Sequence, residues 1–475
     1  MLSKLFTKLQ NTRFKKIIQK IFDSKWLVVV IAFLALISNI FSFEIYVLYI
    51  YALIVAMATL FSDDLLCLLP IACCSYYTFS KKNNPLAIDK TSVFLEETAK
   101  IHLLIIILIT AVSIISRLIF EIITKEEKRK LPKLTWGFLA VGLSYVLGGL
   151  LSEYYDIKTI FFGFVQICAL SFCYFYFYMT VDFKKVKKTY FAYLVTIIGV
   201  LLVFESLGML YYSGFFTISG YFTRNLLYTG WGTNNNVAAC LCMCLPAPFY
   251  YAITKKQGWL YLLLSNVFLV TLVFIQSRNG ILFGILIFII MFISSIVKTS
   301  RKNRISLFIT QIVLVLIYTF VSLIFKDILL EKFMSIISSG LNDSGRFKIY
   351  FDGLKQFLEY PIFGNGFYKC NAYRWGDNTL GKFLPPRYHN IYVQLLASCG
   401  IVSLATYLYH RFETIKLMIK KFNIEKYVIF MIAFSLVLTS ILDNHFFNFG
   451  PGFTYSAMLL LLEIDYIKNK DLTKC

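Results

Sequence analysis

A succession of apolar runs constrains this chain more than any other feature of its sequence. Each run is about 17–24 residues long, enough for an α-helix to cross a hydrocarbon core about 30 Å thick. Residues 101–120 contain one arginine and one histidine among apolar side chains, and residues 281–296 contain no charged side chain. In lipid only helices and closed barrels satisfy their own backbone hydrogen bonds. Because the runs lack the period-2 alternation of barrel strands, they predict helices.

The composition agrees with this interpretation. Hydrophobic residues make up 58% of the 475 residues and charged residues 15%, whereas a soluble domain is about one quarter charged. Hydropathy predicts about fourteen spans, the first at residues 26–42 and the last at residues 453–467. Asp63, Asp64 and Pro70 crowd the predicted span at 64–80, and a re-entrant segment there would change the count by one or two. We therefore predict an all-α polytopic membrane protein with a bundle of about 12–14 transmembrane helices.

The charges of the connecting segments predict the orientation. Lys and Arg are concentrated in alternate short loops, as expected of loops that face the cytoplasm. This alternation predicts that both termini are cytoplasmic. Residues 1–25 are basic and amphipathic, which predicts a helix lying on the membrane surface. Basic loops facing an anionic leaflet explain much of the +21 net charge, so no nucleic-acid partner is required.

One long connection has the pattern of a folded segment. Residues 326–390 are predicted to be a structured extracytoplasmic loop between an N-terminal transmembrane bundle (1–325) and the C-terminal transmembrane helices and tail (391–475). An amphipathic helix is predicted from Ser344 to Glu359, with apolar side chains at helical spacing. Pro361 follows the predicted end of this helix. Loops of this length are usually functional or disordered, and the aromatic content here favours a functional loop.

Three ionisable residues stand at the predicted outer mouth of the bundle. Arg278 lies between two spans, Arg346 begins the amphipathic helix, and His389 directly precedes the span that starts at Ile391. Each alone has an ordinary interpretation as an interfacial anchor that reaches lipid headgroups. Together, two guanidiniums and an imidazole on one side of the membrane fit phosphate binding and proton transfer.

Four segments of the chain resemble the O-antigen ligase and Wzy-type polysaccharide polymerase superfamily. They are GWGTNNNVAACLCMCLP (230–246), SRNGILFGILI (277–287), SGRFKIYFDGLKQFLEYPIFGNGF (344–367) and YHNIYVQLLASCGIVSLATYL (388–408). With the hydropathy, the resemblance covers most of residues 190–467, whereas the N-terminal half is similar only in hydropathy. It implies a GT-C-like helical bundle with a large outer loop.

The resemblance also implies a reaction and its site. Such proteins transfer a glycan from undecaprenyl pyrophosphate to an acceptor hydroxyl at the outer face of the bacterial inner membrane, with inversion and without a metal or another cofactor. By motif, the catalytic residues would be Arg278, Arg346 and His389. Arg224 would be a further pyrophosphate contact. The neighbours of the histidine, Arg387, Tyr388 and Asn390, would contribute to substrate binding.

Alternatives remain open at the level of sequence. Asp377 and Asp443 are other candidates for the general base. A flippase for lipid-linked oligosaccharides would also have many spans, and Arg117 and Glu205 lie within predicted spans, where transporters bind their substrates. Polymerase and ligase differ in the acceptor, a growing glycan or a lipid A core. The Lys-, Ile- and Asn-rich composition indicates an AT-rich bacterial genome and favours polymerisation of a surface polysaccharide.

Overall fold

The computed structural model describes residues 13–41, 43–78, 97–124, 129–153, 155–212, 234–324, 326, 346–367 and 388–471. Within these ranges the regular elements are all helices, and no strand is present. The predicted all-α polytopic fold is confirmed, so the chain is a multi-pass membrane protein. Candidate residues Arg224, Arg387 and Asp377 lie outside the described residues.

The described helices are numbered here in chain order. The α-helices are α1 (Arg13–Phe22), α2 (Trp26–Phe41), α3 (Glu44–Phe61), α4 (Leu69–Cys74), α5 (Glu97–Thr124), α6 (Thr135–Val146), α7 (Ile157–Thr180), α8 (Tyr190–Tyr212), α9 (Asn234–Cys244), α10 (Pro246–Thr254), α11 (Gly258–Ile275), α12 (Arg278–Lys298), α13 (Arg301–Ile324), α14 (Arg346–Glu359), α15 (Ile391–Ile419), α16 (Ile424–Thr439) and α17 (Phe449–Asp471). Short 3₁₀ helices occupy Leu65–Leu68, Ser75–Thr78 and His445–Phe447.

The number of full-length spans is lower than the hydropathy predicted. In the described part of the chain, nine helices are long and apolar enough to cross a membrane, or ten when a bent pair counts as one span. That pair is α1 and the start of α2, bent by 73°. The runs at 64–80 and 135–152 form shorter helical stretches, Leu65–Thr78 and Thr135–Val146. An apolar run predicts burial in the membrane or the core, but it does not require an unbroken helix.

The segment Leu65–Thr78 shows how such a run is interrupted. Two 3₁₀ turns flank the six-residue helix α4. Asp64 caps the first turn by accepting a hydrogen bond from the Leu66 amide at 3.1 Å. Pro70 stands at the start of α4, where its missing amide hydrogen costs no helical hydrogen bond. The result is a short buried segment in place of a complete span.

Helix α15 is broken at Gly400, and the turn 361–367 fills the break. Gly400 has φ +68° and ψ −167°, and a Cβ atom there would lie 2.2 Å from the Ile362 carbonyl oxygen. The turn satisfies backbone groups that the break leaves open. The connecting hydrogen bonds are Asn365 N to Ala397 O (2.9 Å), Gly366 N to Ser398 O (2.7 Å) and Ile401 N to Pro361 O (2.9 Å).

The same turn also meets the end of α6. The Gly149 amide donates to the Phe363 carbonyl oxygen at 2.7 Å. Gly149 has φ +88°, and a Cβ atom on it would approach the backbone of Gly366 to 3.0 Å. This close contact ends α6 earlier than the predicted span did. The turn therefore links α6, α15 and the amphipathic helix α14 that precedes it.

Helix α14 confirms the predicted amphipathic helix, with a start at Arg346. It packs on α15 through Ile349 and Gly353, which are buried. Most of its apolar face points away from the bundle: Phe347, Phe351 and Leu358 are each more than 60% exposed. This arrangement suits a helix that lies in the membrane interface.

The end of the bundle opposite to α14 is rich in basic residues. The Lys15 ammonium pairs with Asp63 at 2.7 Å. Arg117 pairs with Glu121 at 2.6 Å and donates to the Ser62 carbonyl oxygen at 2.8 Å, at the C-terminal end of α3. Arg117 therefore neutralises a buried carboxylate and a helix C-terminus, which is a structural role for this intramembrane charge.

Candidate active site

The predicted site residues come together around the connection between α16 and α17. Helix α9 packs on both α12 and α16, α14 packs on α15, and α17 packs on α16. These contacts bring the N-terminal ends of α9, α12, α14, α15 and α17 to one end of the bundle. Residues 440–448, which connect α16 to α17, lie among those ends. Arg278, Arg346 and His389 each stand at or next to one of these helix N-termini.

His389 is held in an unusual backbone conformation before α15. Its φ is +51°, in the left-handed region that non-glycine residues seldom occupy, and such strain concentrates at functional sites. The next residue, Asn390, caps α15 by accepting from the amides of Tyr392 (2.8 Å) and Val393 (3.1 Å). The His389 side chain remains 27% exposed, so a substrate can reach it.

His389 pairs with the carboxylate of Asp443. Its Nδ1 atom lies 2.9 Å from Asp443 Oδ1, and the Asp443 side chain is only 8% exposed. An ionised carboxylate accepts hydrogen bonds and donates none, so Nδ1 carries the hydrogen. In a neutral imidazole the lone pair is then on Nε2, which is the atom able to accept a proton. The pair thus has the orienting arrangement of a general base and a carboxylate.

The surroundings of Asp443 keep it ionised. Burial by itself raises the pKa of its carboxyl group. The charge of His445, the hydrogen bond and charge of His389, and the Asn444 amide together outweigh burial and hold the Asp443 pKa well below its usual range. The amide of Asn444 donates to Oδ1 at 2.8 Å, and the side-chain amide of Asn235 donates to Oδ2 at 3.0 Å.

Arg346 reaches the same connection from α14. One guanidinium nitrogen, Nη1, donates to the carbonyl oxygen of Leu442 at 3.0 Å. One turn later on α14, the Tyr350 hydroxyl donates to the His389 carbonyl oxygen at 3.1 Å. The amphipathic helix therefore contacts the backbone on both sides of the imidazole–carboxylate pair, and Arg346 lies next to Asp443 in the chain's fold.

Arg278 approaches from α12, of which it is the first residue. Ser277 caps this helix by accepting from the Gly280 amide at 3.2 Å. Asn279 donates to the Thr439 carbonyl oxygen at 2.8 Å, which fixes the start of α12 against the end of α16. Arg278 itself is half-buried. Helix N-termini carry partial positive charge, so α12 and α14 add to the charge of their arginines and favour an anion.

Two of the predicted substrate-binding residues are engaged in the fold. Tyr388 is fully buried, its ring lies against Gly353 of α14, and its hydroxyl donates to Gln356. Asn390 is the cap of α15 described above. Within the described residues these side chains support the histidine and α14. Substrate binding by either residue stays a prediction, as it does for Arg224 and Arg387.

The sequence interpretation missed a buried layer of amides behind the pair. Asn236 accepts from His445 Nδ1 at 3.0 Å and from the Asn448 side chain at 2.7 Å. Gln394 accepts from the side chain of Asn444 at 2.7 Å. Two signals in the sequence could have indicated this layer: the three consecutive asparagines 234–236 before an apolar run, and the polar cluster 443–448 between two spans.

The described residues contain no group of three or more His, Cys, Asp or Glu side chains placed to hold a metal ion. Asp443 lies near two imidazoles, with Oδ1 2.9 Å from His389 Nδ1 and Oδ2 3.9 Å from His445 Nε2. The positive charge at this end of the bundle comes from arginines and helix N-termini. That the glycan transfer needs no metal ion stays a prediction.

Comparison with known proteins agrees with the resemblance in the motifs. Residues 261–408 match the model of the O-antigen ligase family, and this match bears out the resemblance to that superfamily. The matched segment includes Arg278, Arg346 and His389, whereas Asp443 and Asn235 lie outside it. No curated protein matches the chain. The family indicates a membrane protein that transfers glycans as a ligase or polymerase.

Proposed function

We propose that this chain, which carries an O-antigen ligase family segment at residues 261–408, transfers a glycan from undecaprenyl pyrophosphate to an acceptor hydroxyl. The pairing of His389 with Asp443 carries the proposal, because it provides an oriented base at the end of the bundle where Arg346 bonds Leu442 and Arg278 begins α12. An imidazole of this kind suits removal of a proton from a sugar hydroxyl. Guanidinium groups suit a pyrophosphate, since they stay charged and bind its oxygens in pairs.

The proposed reaction is a single displacement. His389 Nε2 takes the proton of the acceptor hydroxyl as that oxygen forms a bond to the anomeric carbon of the donor glycan. The bond between this carbon and the pyrophosphate oxygen breaks on the opposite side, so the configuration is inverted. Undecaprenyl pyrophosphate leaves with the bonding electrons, and Asp443 stabilises the resulting imidazolium.

Arg278 and Arg346 would act on the leaving group. Negative charge grows on the pyrophosphate oxygen as the glycosidic bond breaks, and preorganised donors at such a position are usually the largest catalytic contribution. Both arginines stand at helix N-termini, which adds to their effect on an anion. This arrangement supports a reaction that uses no divalent metal ion.

The proposed site faces the outer side of the bacterial inner membrane. Basic residues concentrate at the opposite end of the bundle, which is the pattern expected of the cytoplasmic side. Both termini would then be cytoplasmic, and residues 326–390 would be extracytoplasmic. The bilayer supplies the donor from its outer leaflet. The exposed apolar face of α14 would keep this helix at the membrane interface, beside that donor.

Polymerisation of surface polysaccharide repeat units is the form of the reaction that we favour. The acceptor would be a second glycan, bound at His389 opposite the donor. Ligation to a lipid A core is the alternative and would use the same residues. The composition favours the polymerase, and the transfer assay below decides between them through the acceptor that is consumed.

A flippase is the second candidate from another class. Charged residues within the predicted spans would suit a transporter, but Arg117 is paired with Glu121 and caps the C-terminal end of α3. The polar side chains of the candidate site gather at one end of the bundle, whereas transporters bind near the midplane. The described contacts therefore favour an enzyme.

The test is transfer in vitro by protein purified as a single species. Wild-type protein with lipid-linked oligosaccharide should form elongated glycan, and His389→Ala should lower turnover by about 10²–10⁴-fold with donor binding largely intact. His102→Ala is the control, because His102 is exposed on α5 and bonds only Tyr49 among the described side chains. Movement of donor across vesicles without product would support the flippase. Near wild-type turnover of His389→Ala would exclude His389 as the base and return attention to Asp443 or Asp377.

A further inference from the structure

Asn235 lies between the two halves of the proposed site. Its side-chain Nδ2 donates to Asp443 Oδ2 at 3.0 Å, and its Oδ1 accepts from the Ser277 hydroxyl at 2.9 Å. Asp443 holds His389, and Ser277 is the cap that precedes Arg278 on α12. Asn235 comes from a third helix, α9, and is separated from Asp443 by 208 positions in the sequence.

Chemistry fixes the orientation of this amide. The Asp443 carboxylate can only accept hydrogen bonds, so the atom of Asn235 that faces it must be the nitrogen. The oxygen then faces Ser277, whose hydroxyl hydrogen it accepts while the same hydroxyl oxygen accepts from the Gly280 amide. Rotation of the amide by half a turn would place two acceptors against each other. Both contacts of Asn235 are therefore satisfied in one orientation.

We propose that Asn235 is a positioning residue that holds the Asp443 carboxylate in the orientation in which it directs His389. Through Ser277, Asn235 also fixes the start of α12, where Arg278 lies, relative to that carboxylate. The inference rests on the proposed function. It adds a residue that touches neither substrate nor the reacting atoms in that mechanism and acts through Asp443 and Ser277.

The physical argument starts from the two oxygens of Asp443. Oδ1 is engaged by His389 and by the Asn444 amide, and a donor on Oδ2 prevents rotation of the carboxylate about its bond to Cβ. The Oδ2 bond also spreads the negative charge. Without it the charge is more available to the imidazole, so His389 would hold a proton up to a higher pH. Among the described residues, Arg346 and Tyr350 of α14 and His445 also face the pair, and Arg278 begins the adjoining helix α12.

Two substitutions separate the contacts of Asn235. Asn235→Ala removes both hydrogen bonds. Asn235→Asp has nearly the same shape and still accepts from Ser277, but it replaces the donor to Asp443 by a carboxylate oxygen. If capping through Ser277 were the whole role, Asn235→Asp would behave like the wild type. If the hold on Asp443 matters, Asn235→Asp should be impaired at least as much as Asn235→Ala, because two carboxylates would face each other.

The matched control is Asn234→Ala. Asn234 is the adjacent residue at the start of α9, and its side chain donates to the Ile275 carbonyl oxygen at 3.1 Å. This bond joins the start of α9 to the end of α11 and is distinct from both hydrogen bonds of Asn235. The control variant should therefore report what loss of an asparagine hydrogen bond at this helix end does to folding alone.

The experiment measures kcat as a function of pH for the full-length variants in the transfer assay. Asn235→Ala and Asn235→Asp should lower kcat by about tenfold or more, less than the full general-base factor of about 10²–10⁴. Their acidic limb should move to higher pH by on the order of half a unit. A purely structural role would lower activity equally at every pH and leave the limb in place, and so would overturn the proposal.

Failure of this inference can be distinguished from failure of the proposed function. If the wild-type protein is active and His389→Ala is inactive, but both Asn235 variants keep the wild-type rate and pH profile, Asn235 does not position Asp443. If Asn235→Ala does not purify as a folded species, the near-isosteric Asn235→Asp carries the test. If wild type makes no product, or His389→Ala keeps its turnover, the proposed function itself fails.

Discussion

The Nδ1 atom of His389 lies 2.9 Å from the Oδ1 atom of Asp443, across 54 positions of sequence. His389 precedes α15 and Asp443 follows α16, so the pair joins the start of one helix to the end of the next. The Ile391 amide, which donates to the Ser440 carbonyl oxygen at 3.0 Å, ties the same two ends together beside it. The backbone thus supports the orientation of the side chains.

Asp443→Asn tests the role of charge in this pair. The side chain keeps its shape, but the amide cannot stabilise an imidazolium and can turn its NH₂ group toward Nδ1, which selects the wrong tautomer. We expect turnover to fall by about 10²-fold or more, as for other orienting carboxylates. Because the Asp443 pKa lies well below its usual range, the group stays ionised where histidine titrates, so the acidic limb of the profile belongs to the base.

The direction of the pH shift provides the check. Removing the negative charge next to His389 makes its protonated form less stable, so any residual activity of Asp443→Asn should extend to lower pH than in the wild type. This is opposite to the shift expected for the Asn235 variants. A kcat–pH profile for Asp443→Asn that coincides with that of the wild type, at an unchanged rate, would contradict a catalytic role for the His389–Asp443 pair.

Replacement of Arg278 and Arg346 tests whether they stabilise the negative charge of the pyrophosphate leaving group. Arg278→Ala and Arg346→Ala should each lower turnover by about 10²–10³-fold and also weaken donor binding, because pyrophosphate is charged before and after the reaction. Arg→Lys should restore little, since a point charge cannot replace a two-pronged donor. The measurement is kcat and KM for the donor, with Arg301→Lys as control, because Arg301 is exposed at the start of α13. Full activity of the lysine variants would count against a bidentate contact.

Chelation tests the metal-free reaction. We expect purified protein to retain its transfer rate in excess EDTA, because arginines and helix N-termini would supply the positive charge that the leaving group requires. The assay compares EDTA with added Mg²⁺ or Mn²⁺ on the same preparation. Loss of activity in EDTA with recovery on addition of either ion would show that a metal participates.

Gly400→Ala tests the break in α15. The positive φ and the carbonyl of Ile362, 2.2 Å from the position of a Cβ atom, leave no room for a methyl group. We expect a loss of roughly 2 kcal/mol or more in the free energy of unfolding, seen as a lower melting temperature in detergent. Gly208→Ala is the matched control, since nothing lies within 4 Å of its Cβ position in α8. There alanine should stabilise by roughly 0.5–1 kcal/mol. Equal melting temperatures for Gly400→Ala and Gly208→Ala would contradict the expected strain of a side chain at position 400.

The sequence by itself determined the class of fold and the local elements. Apolar runs set the positions of the helices, because a chain in lipid has to satisfy its backbone within each segment. Helical spacing set the amphipathic helix that begins at Arg346, and motif resemblance selected Arg278, Arg346 and His389. Each of these inferences depends on residues close together in the chain.

The tertiary structure decided which residues that are distant in sequence come into contact. Whether a span is whole depends on its neighbours: α6 ends and α15 breaks where the turn 361–367 packs against them. The partner of His389 depends on the packing of α15 against the connection that follows α16, and the role of Asn235 depends on α9 lying between α12 and α16. Hydrophobicity specifies burial without specifying a partner, so the pairing of His389 with Asp443 followed only from how the helices pack.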